Sequence, residues 1–198
     1  MIYLASASPR RQELLSQLGV RFEVIPPSVV EAPRAGEQAP DYVARLARAK
    51  ARHGAVLVRE RSLPARPVLA ADTEVVLDGR ILGKPVDRAH ALDILRRLSG
   101  RTHQVLTAIS LLHQDEMHET ISDSRVTFAP LAESEIERYW ATGEPADKAG
   151  GYAIQGAAAA FIARIEGSYS GVVGLPLFEV AQALKRAGEK LWNAGGHE

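Results

Sequence analysis

Residues 69–85 read LAADTEVVLDGRILGKP, a buried-strand pattern interrupted by charges that a core strand should not carry. Asp72 divides two apolar runs of this strand, and Asp78-Gly79 is typical of a two-residue hairpin turn. The turn would bring Lys84 back within reach of the acidic residues on the first strand. An acid and an ammonium on neighbouring strands form either an ordinary cross-strand ion pair or part of a site for a metal-bound polyphosphate. Taken alone, the stretch favours the ordinary pair.

The composition indicates one folded unit without excess charge. The chain has 198 residues, 46% of them apolar, which suffices for a single domain over residues 1–186 followed by a C-terminal tail over residues 187–198. Lysine plus arginine and aspartate plus glutamate each total 24, so the formal charge is zero. This balance argues against a polybasic nucleic-acid surface. The lack of cysteine excludes a disulfide framework, thiolate zinc ligands and a cysteine nucleophile.

The first residues, MIYLASASPRR, do not have the pattern of a secretory signal, because no basic segment precedes the apolar residues and no long apolar core follows. No apolar run approaches the ~20 residues that a membrane span requires. We therefore expect a soluble, cytoplasmic protein that binds neither a membrane nor a nucleic acid polymer.

A strand, a tight loop and a helix are predicted at the start of the chain. The loop reads SASPRR over residues 6–11, with Ser8 suited to cap the helix and Pro9 suited to its first turn. Hydroxyls, the guanidiniums of Arg10 and Arg11, and unpaired helix amides converge there, as the binding of phosphate oxygens requires. An ordinary capped helix with two solvated arginines explains the pattern as well. No P-loop pattern occurs in the chain.

Two charged residues, Glu31 and Lys50, have unremarkable local surroundings. Glu31 lies in the proline-rich connection PSVVEAPRAGEQAP, where an acidic residue is usually solvated unless another carboxylate faces it across a cleft. Lys50 borders the apolar stripe of a helix predicted over residues 41–53. A lysine in that position most often extends along the edge of the core toward water. Neither residue indicates a ligand site by itself.

The segment DKAGGYAIQG at residues 147–156 has a composition that allows a backbone to approach a ligand closely. It contains three glycines, and Gln155 could recognise the edge of a base with its paired donor and acceptor. His103 and His113 lack the H-x-x-H or H-E-x-x-H companion of a zinc ligand. We therefore expect no histidine zinc site.

Six separated motifs, SASPRR, LARAKA, AADTEVVLDG with LGKP, LSGRTHQVLTA, DKAGGYAIQG and GSYSGVVGLPL, together resemble the Maf family of nucleoside triphosphate pyrophosphatases. The resemblance extends from Ile2 to about Arg186. It implies a mixed α/β fold of the inosine triphosphate pyrophosphatase type, with an elongated mixed sheet, flanking helices and two lobes around a cleft. It also implies hydrolysis of a nucleoside triphosphate to the monophosphate and pyrophosphate, a divalent cation (Mg²⁺ or Mn²⁺) and a homodimer.

The resemblance also assigns residues to substrate choice and to catalysis. Asp72 matches the catalytic acid/base position of the family. Arg11, Thr73 and Gln155 match positions linked to substrate choice, and the motif around Gln155 resembles the branch that acts on dTTP and UTP. Modified pyrimidine nucleotides are further candidate substrates.

The remaining matches concern the polyphosphate and its metal ion. Ser8, Lys50 and Lys84 match phosphate-binding positions, and Arg10 from the same loop as Ser8 is a further phosphate-binding candidate. Glu31 and Asp72 are matched as metal ligands, and a cation between two carboxylates would relieve their repulsion. With these partners around residues 69–85, a wall of a phosphate-binding cleft is favoured over the ordinary ion pair.

Glu74 departs from the family pattern, which more commonly has an apolar residue there. A solvated or ion-paired Glu74 is favoured over a third metal ligand. The alternative function, which the family's name implies, is a non-catalytic regulator of cell division or septum formation that only senses nucleotides. A sensor has no need of Asp72 beside two lysines, so the enzyme is favoured.

Overall fold

A computed structural model of the chain describes residues 1–192, and the end of the predicted tail, residues 193–198, lies outside the described residues. Seven strands form one mixed sheet: β1 (Ile2–Leu4), β2 (Phe22–Val24), β3 (Val68–Leu77), β4 (Arg80–Ile81), β5 (Thr102–His113), β6 (Glu116–Phe128) and β7 (Ile162–Glu166). The order is β2-β1-β3-β5-β6-β7, with β4 paired to β3. β1 is parallel to β2 and β3, and every other pairing is antiparallel.

The helices are α1 (Pro9–Ser16), α2 (Ala39–Glu60), α3 (Arg88–Leu98), α4 (Glu133–Ala141), α5 (Tyr169–Val173) and α6 (Leu177–Arg186). Three 3₁₀ segments, Glu144–Asp147, Ala149–Gly151 and Ala157–Phe161, connect α4 to β7. The helix predicted over residues 41–53 is longer at both ends than its sequence pattern indicated. The mixed α/β fold with flanking helices is confirmed. Within residues 1–192, no helix is long and apolar enough to cross a membrane.

The central strand β3 is buried on both faces, and its alternating side chains divide between two layers. Leu69, Ala71 and Val75 pack into the large core that contains α1, α3 and α6. Val76 packs on the opposite face against Val43 of α2 and its neighbours. Because side chains alternate along a strand, one face of β3 looks toward α2 and the other toward the remaining helices.

The predicted hairpin turn is confirmed at Asp78-Gly79. Both residues have a positive φ, 52° and 74°, which is the backbone conformation of a two-residue turn of this kind. β4 then pairs with β3 through Ile81 opposite Val76. The turn therefore returns the chain alongside β3 and brings Lys84 to the cleft that Asp72 also lines.

The first part of the predicted tail is packed against the domain. Leu191 contacts the large core, and the amide of Trp192 donates to the carbonyl of Leu18 at 2.8 Å. The N-terminal ammonium of Met1 forms an ion pair with Glu189 at 2.9 Å. Residues 187–192 thus pack beside the first residue of the chain and the residues that follow α1.

Candidate active site

A cleft of about 600 Å³ opens between the loop before α1, the middle of β3, and the segment that contains the 3₁₀ turns. Every site residue predicted from the sequence lines this cleft: Ser8, Arg10, Arg11, Glu31, Lys50, Asp72, Thr73, Lys84 and Gln155. The fold thus brings together residues from four of the six motifs and Glu31 from the proline-rich connection. Their individual roles remain predictions.

The floor of the cleft is a lysine between two carboxylates. Lys50 Nζ lies 2.6 Å from Asp72 Oδ1 and 2.6 Å from Glu31 Oε1. Lys50 and Asp72 are buried, with 8% and 4% of their surface exposed, whereas Glu31 reaches down from the exposed connection between β2 and α2. Lys50 therefore points into the site. Its local sequence had favoured a side chain that extends along the edge of the core toward water, and that interpretation is wrong.

For both Asp72 and Glu31, burial acts to raise the pKa of the carboxyl group and Lys50 acts to lower it. Burial raises the pKa of Asp72 above its usual value, although Lys50 and Arg11 partly counteract it. Burial also acts to raise the pKa of Glu31, but the hydrogen bond and charge of Lys50, with the charges of Lys84 and Arg11, together lower that pKa. A buried carboxylate whose pKa is raised, as that of Asp72 is, suits an acceptor of a proton.

Thr73 faces the opposite side of β3 from Asp72 and meets Arg11. Arg11 donates from Nη2 to Thr73 Oγ1 at 3.1 Å and from Nε to the carbonyl of Gly174 at 2.8 Å. The Thr73 hydroxyl also lies 2.9 Å from the hydroxyl of Thr107 on β5. Two of the three residues matched to substrate choice, Arg11 and Thr73, are thus in direct contact, and both line the cleft.

Glu74 lies on the α2 side of β3, the same side as Asp72, because the strand runs unbroken from Val68 to Leu77. It is half-buried, and its Oε2 atom is buried with no hydrogen-bond partner among residues 1–192. Burial, reinforced by the charges of Asp72 and Glu31, raises the pKa of Glu74 to about 8. The favoured interpretation of Glu74 as solvated or ion-paired is wrong for this oxygen.

The glycine-rich segment docks against the hairpin that carries Lys84. The amide of Gly150 donates to the carbonyl of Gly83 at 2.8 Å, and Gly150 adopts a φ of 70°. Tyr152 is buried beneath the segment, where its hydroxyl lies 2.8 Å from His103 Nε2. This anchor leaves Gln155 exposed at the rim of the cleft.

Two further charged residues of the cleft received no role from the sequence. Lys148 Nζ donates to the carbonyl of Glu144 and to Asp147 Oδ1, at 2.7 Å and 2.6 Å. Both Asp147 and Lys148 line the cleft. The signal that could have found them is their place in the same motif as Gln155.

The donor set partly fits a hard divalent cation. Besides Glu74 Oε2, Asp72 Oδ2 is buried with no hydrogen-bond partner within the described part of the chain. Unpaired carboxylate oxygens are the ligands that Mg²⁺ and Mn²⁺ prefer. In residues 1–192, however, no group of three or more acidic or histidine side chains is arranged as a ready-made metal site. Lys50 contacts Oδ1 of Asp72, so Asp72 could hold a cation through Oδ2, together with Glu31.

The chain is similar to known proteins over nearly its whole length. The model of a family described as "Maf-like protein" matches residues 1–187. A protein of Bordetella avium named dTTP/UTP pyrophosphatase is 54% identical over 191 residues, covering 94% of this chain and 95% of the relative. A protein of the same name from Dechloromonas aromatica is 49% identical over 195 residues, covering 94% and 97%.

Among solved structures, that of the Staphylococcus aureus Ham1 protein is similar at a TM-score of 0.44 with 19% identity. The similarity covers 65% of this chain and 71% of that protein.

Proposed function

This chain belongs to the Maf family, and on that premise we propose that it hydrolyses dTTP and UTP to the monophosphate and pyrophosphate with the help of a divalent metal ion. The relatives from Bordetella avium and Dechloromonas aromatica carry the name of this activity. The observation that carries the proposal is Asp72, buried at the floor of the cleft with Oδ1 on Lys50 and Oδ2 unpartnered within residues 1–192.

Asp72 acts as the general base in this proposal. Lys50 holds Oδ1 and orients the carboxylate, which leaves Oδ2 to accept a proton from water. The water oxygen forms a bond to the α-phosphorus as the bond to the bridging oxygen breaks, and pyrophosphate leaves with that electron pair. No covalent intermediate with the enzyme is required.

Cationic and hydroxyl groups hold the triphosphate in the cleft. Arg10 and Lys84 line the cleft, and Ser8 stands at the start of α1 with no capping bond from its side chain among residues 1–192. These donors suit phosphate oxygens at a helix N-terminus. A divalent cation held by Asp72 and Glu31 would polarise the α-phosphate and offset the charge of the departing pyrophosphate.

Recognition of the base is proposed for Gln155, with Arg11 and Thr73. Thymine and uracil share an N–H flanked by two carbonyl oxygens, and the amide of Gln155 offers a matching acceptor and donor. Cytosine presents a different pattern on the same edge, so an amide at this position can favour dTTP and UTP. Modified pyrimidines that keep this edge are expected to be accepted.

The test is pyrophosphate release from a panel of nucleotides with Mg²⁺ or Mn²⁺, comparing wild type with Asp72→Asn. We expect wild type to prefer dTTP and UTP, and Asp72→Asn to lose on the order of 10²–10⁴-fold in kcat because the general base is gone. Asp115→Asn, in the remote turn between β5 and β6, is the matched control.

Binding of dTTP without pyrophosphate release under any metal condition would favour the nucleotide-sensing regulator instead. The homodimer, expected from the family resemblance, and the cytoplasmic location, expected from the N-terminal sequence and the short apolar runs, also remain predictions. Light scattering on the purified protein tests the first, and fractionation of cells tests the second.

A further inference from the structure

Thr107 is a fully buried polar residue in the middle of β5, with 0% of its surface exposed. It stands directly opposite Thr73 in the antiparallel register of β3 and β5. It does not line the cleft, so it cannot touch a substrate there. Burying a hydroxyl in the centre of a sheet costs folding free energy unless the hydroxyl is hydrogen-bonded. The partners of the Thr107 hydroxyl therefore indicate which groups it holds in place.

The Thr107 hydroxyl has two partners, and only one arrangement of hydrogens satisfies both. It lies 2.7 Å from the carbonyl oxygen of Gly171 and 2.9 Å from the hydroxyl of Thr73. Because a carbonyl can only accept, the single hydrogen of Thr107 goes to Gly171. Thr73 must then donate its own hydrogen to Thr107.

This direction of donation determines how Thr73 meets Arg11. With its hydrogen committed to Thr107, the Thr73 oxygen presents a lone pair to Nη2 of Arg11, 3.1 Å away. Arg11 Nε is held at the same time by the carbonyl of Gly174, at 2.8 Å. Gly171 and Gly174 lie within and just after the short helix α5, so the bonds form a closed ring.

We propose that Thr107 is a positioning residue for base selection, which fixes the Thr73 hydroxyl and, through it, the guanidinium of Arg11. The inference rests on the proposed function, because it assumes that Arg11 and Thr73 select the base. Without the Thr107 hydroxyl, Thr73 can rotate or reverse its donation, and Arg11 loses a fixed acceptor. The expected consequence is weaker discrimination between bases, with the catalytic carboxylate on the other face of β3 unaffected.

The test compares wild type with Thr107→Val and Thr107→Ser. Valine keeps the shape and removes both hydrogen bonds, whereas serine keeps the hydroxyl. We expect Thr107→Val to lower the preference for dTTP over dCTP, measured as the ratio of kcat/KM values, about tenfold, mainly through KM. Thr107→Ser should restore the wild-type ratio. If Thr107→Val does not fold, Thr107→Cys, with its weak S–H donor, takes its place.

Ser110→Ala is the matched control for a purely structural effect. Ser110 is also 0% exposed on β5, but its hydroxyl donates to Glu119, at 3.1 Å, and it does not line the cleft. Both variants should lower the melting temperature, and only Thr107→Val should change the dTTP preference. An unchanged preference in Thr107→Val, or an equal change in Ser110→Ala, would overturn the inference.

Dissociation constants for dTTP and dCTP without divalent metal separate this inference from the proposed function. If wild type prefers dTTP in binding but releases no pyrophosphate, the proposed enzyme is wrong. The role of Thr107 is then decided by whether Thr107→Val loses that binding preference. If wild type binds both nucleotides equally and hydrolyses them equally, there is no selection for Thr107 to support, and the inference fails.

Discussion

Glu74 is an acidic side chain of this site that is partly buried. It shares one face of β3 with Asp72, and both have a buried carboxylate oxygen without a partner among residues 1–192. Lys50 contacts Asp72 and Glu31 and does not compensate Glu74 by a direct bond. A half-buried acid without compensation destabilises the folded state, unless a ligand supplies the missing partner.

Replacing Glu74 by glutamine is therefore expected to stabilise the metal-free protein. The free energy of unfolding at pH 8 should rise by on the order of 1–3 kcal/mol, because the neutral amide is less costly to bury than a carboxylate. Urea denaturation in the presence of a chelator measures this change. Glu13→Gln, on the exposed side of α1, is the control and should change stability little.

A loss of stability in Glu74→Gln would contradict this account. If Mn²⁺ stabilises wild type strongly and the variant weakly, Glu74 is a third metal ligand, the alternative that the sequence left open.

The docking of the segment between α4 and β7 against β3 depends on Gly150. Gly150 has a φ of 70°, and a Cβ atom on it would lie 2.8 Å from a methyl group of Val75 on β3. The segment carries Lys148 and Gln155 into the cleft. Its position against β3 therefore decides whether these two side chains reach a nucleotide.

Gly150→Ala is expected to destabilise the protein by about 2–4 kcal/mol, from backbone strain together with the overlap with Val75. It should also lower kcat/KM for dTTP, since the segment can relieve the overlap only by moving away from β3. Thermal unfolding and pyrophosphate release measure the two effects.

Gly143→Ala separates strain from overlap. Gly143 has a φ of 75°, but a Cβ atom there meets nothing within 4 Å. This control should lose only about 1 kcal/mol and keep its activity. Equal losses in the two variants would mean that the contact with Val75 is unimportant.

Burial of His103 links the stability of the whole molecule to pH. His103 is 2% exposed and packs edge-to-face with Phe128 and Tyr152. Burial lowers the pKa of His103 from 6.5 to about 4. Between these values the unfolded chain binds a proton that the folded chain does not, so stability falls as the pH is lowered from 6.5 toward 4.

From pH 7 to pH 5 this histidine should remove about 2 kcal/mol of unfolding free energy. His103→Gln is expected to be less stable at pH 7 and to lack this part of the pH dependence. Urea denaturation at a series of pH values measures it, with His113→Gln at the end of β5 as control. A variant whose stability falls with acid as steeply as that of wild type would contradict the assignment.

Local patterns were sufficient for several parts of the fold. The Asp78-Gly79 turn follows from two residues that tolerate positive φ, and the apolar runs on either side of Asp72 predict β3 as a central strand. These features depend on neighbours in the chain, so the sequence displays them directly. The length of α2 was underestimated, since its last turns are held by packing and not by a helical sequence signal.

The sequence by itself determined the family, the central strand and nine of the residues that line the cleft, because motifs and short-range patterns are properties of the chain. Only the tertiary structure decided what those residues contact. Lys50 and Asp72 meet through packing of α2 on the sheet, and Thr107 meets Thr73 through the register of β5 against β3. Strand register and helix packing depend on contacts throughout the core, between residues that are distant in the chain. For that reason the sequence neighbours of Arg11 could not predict its hydrogen-bonded ring, and those of Glu74 could not predict its unpartnered oxygen.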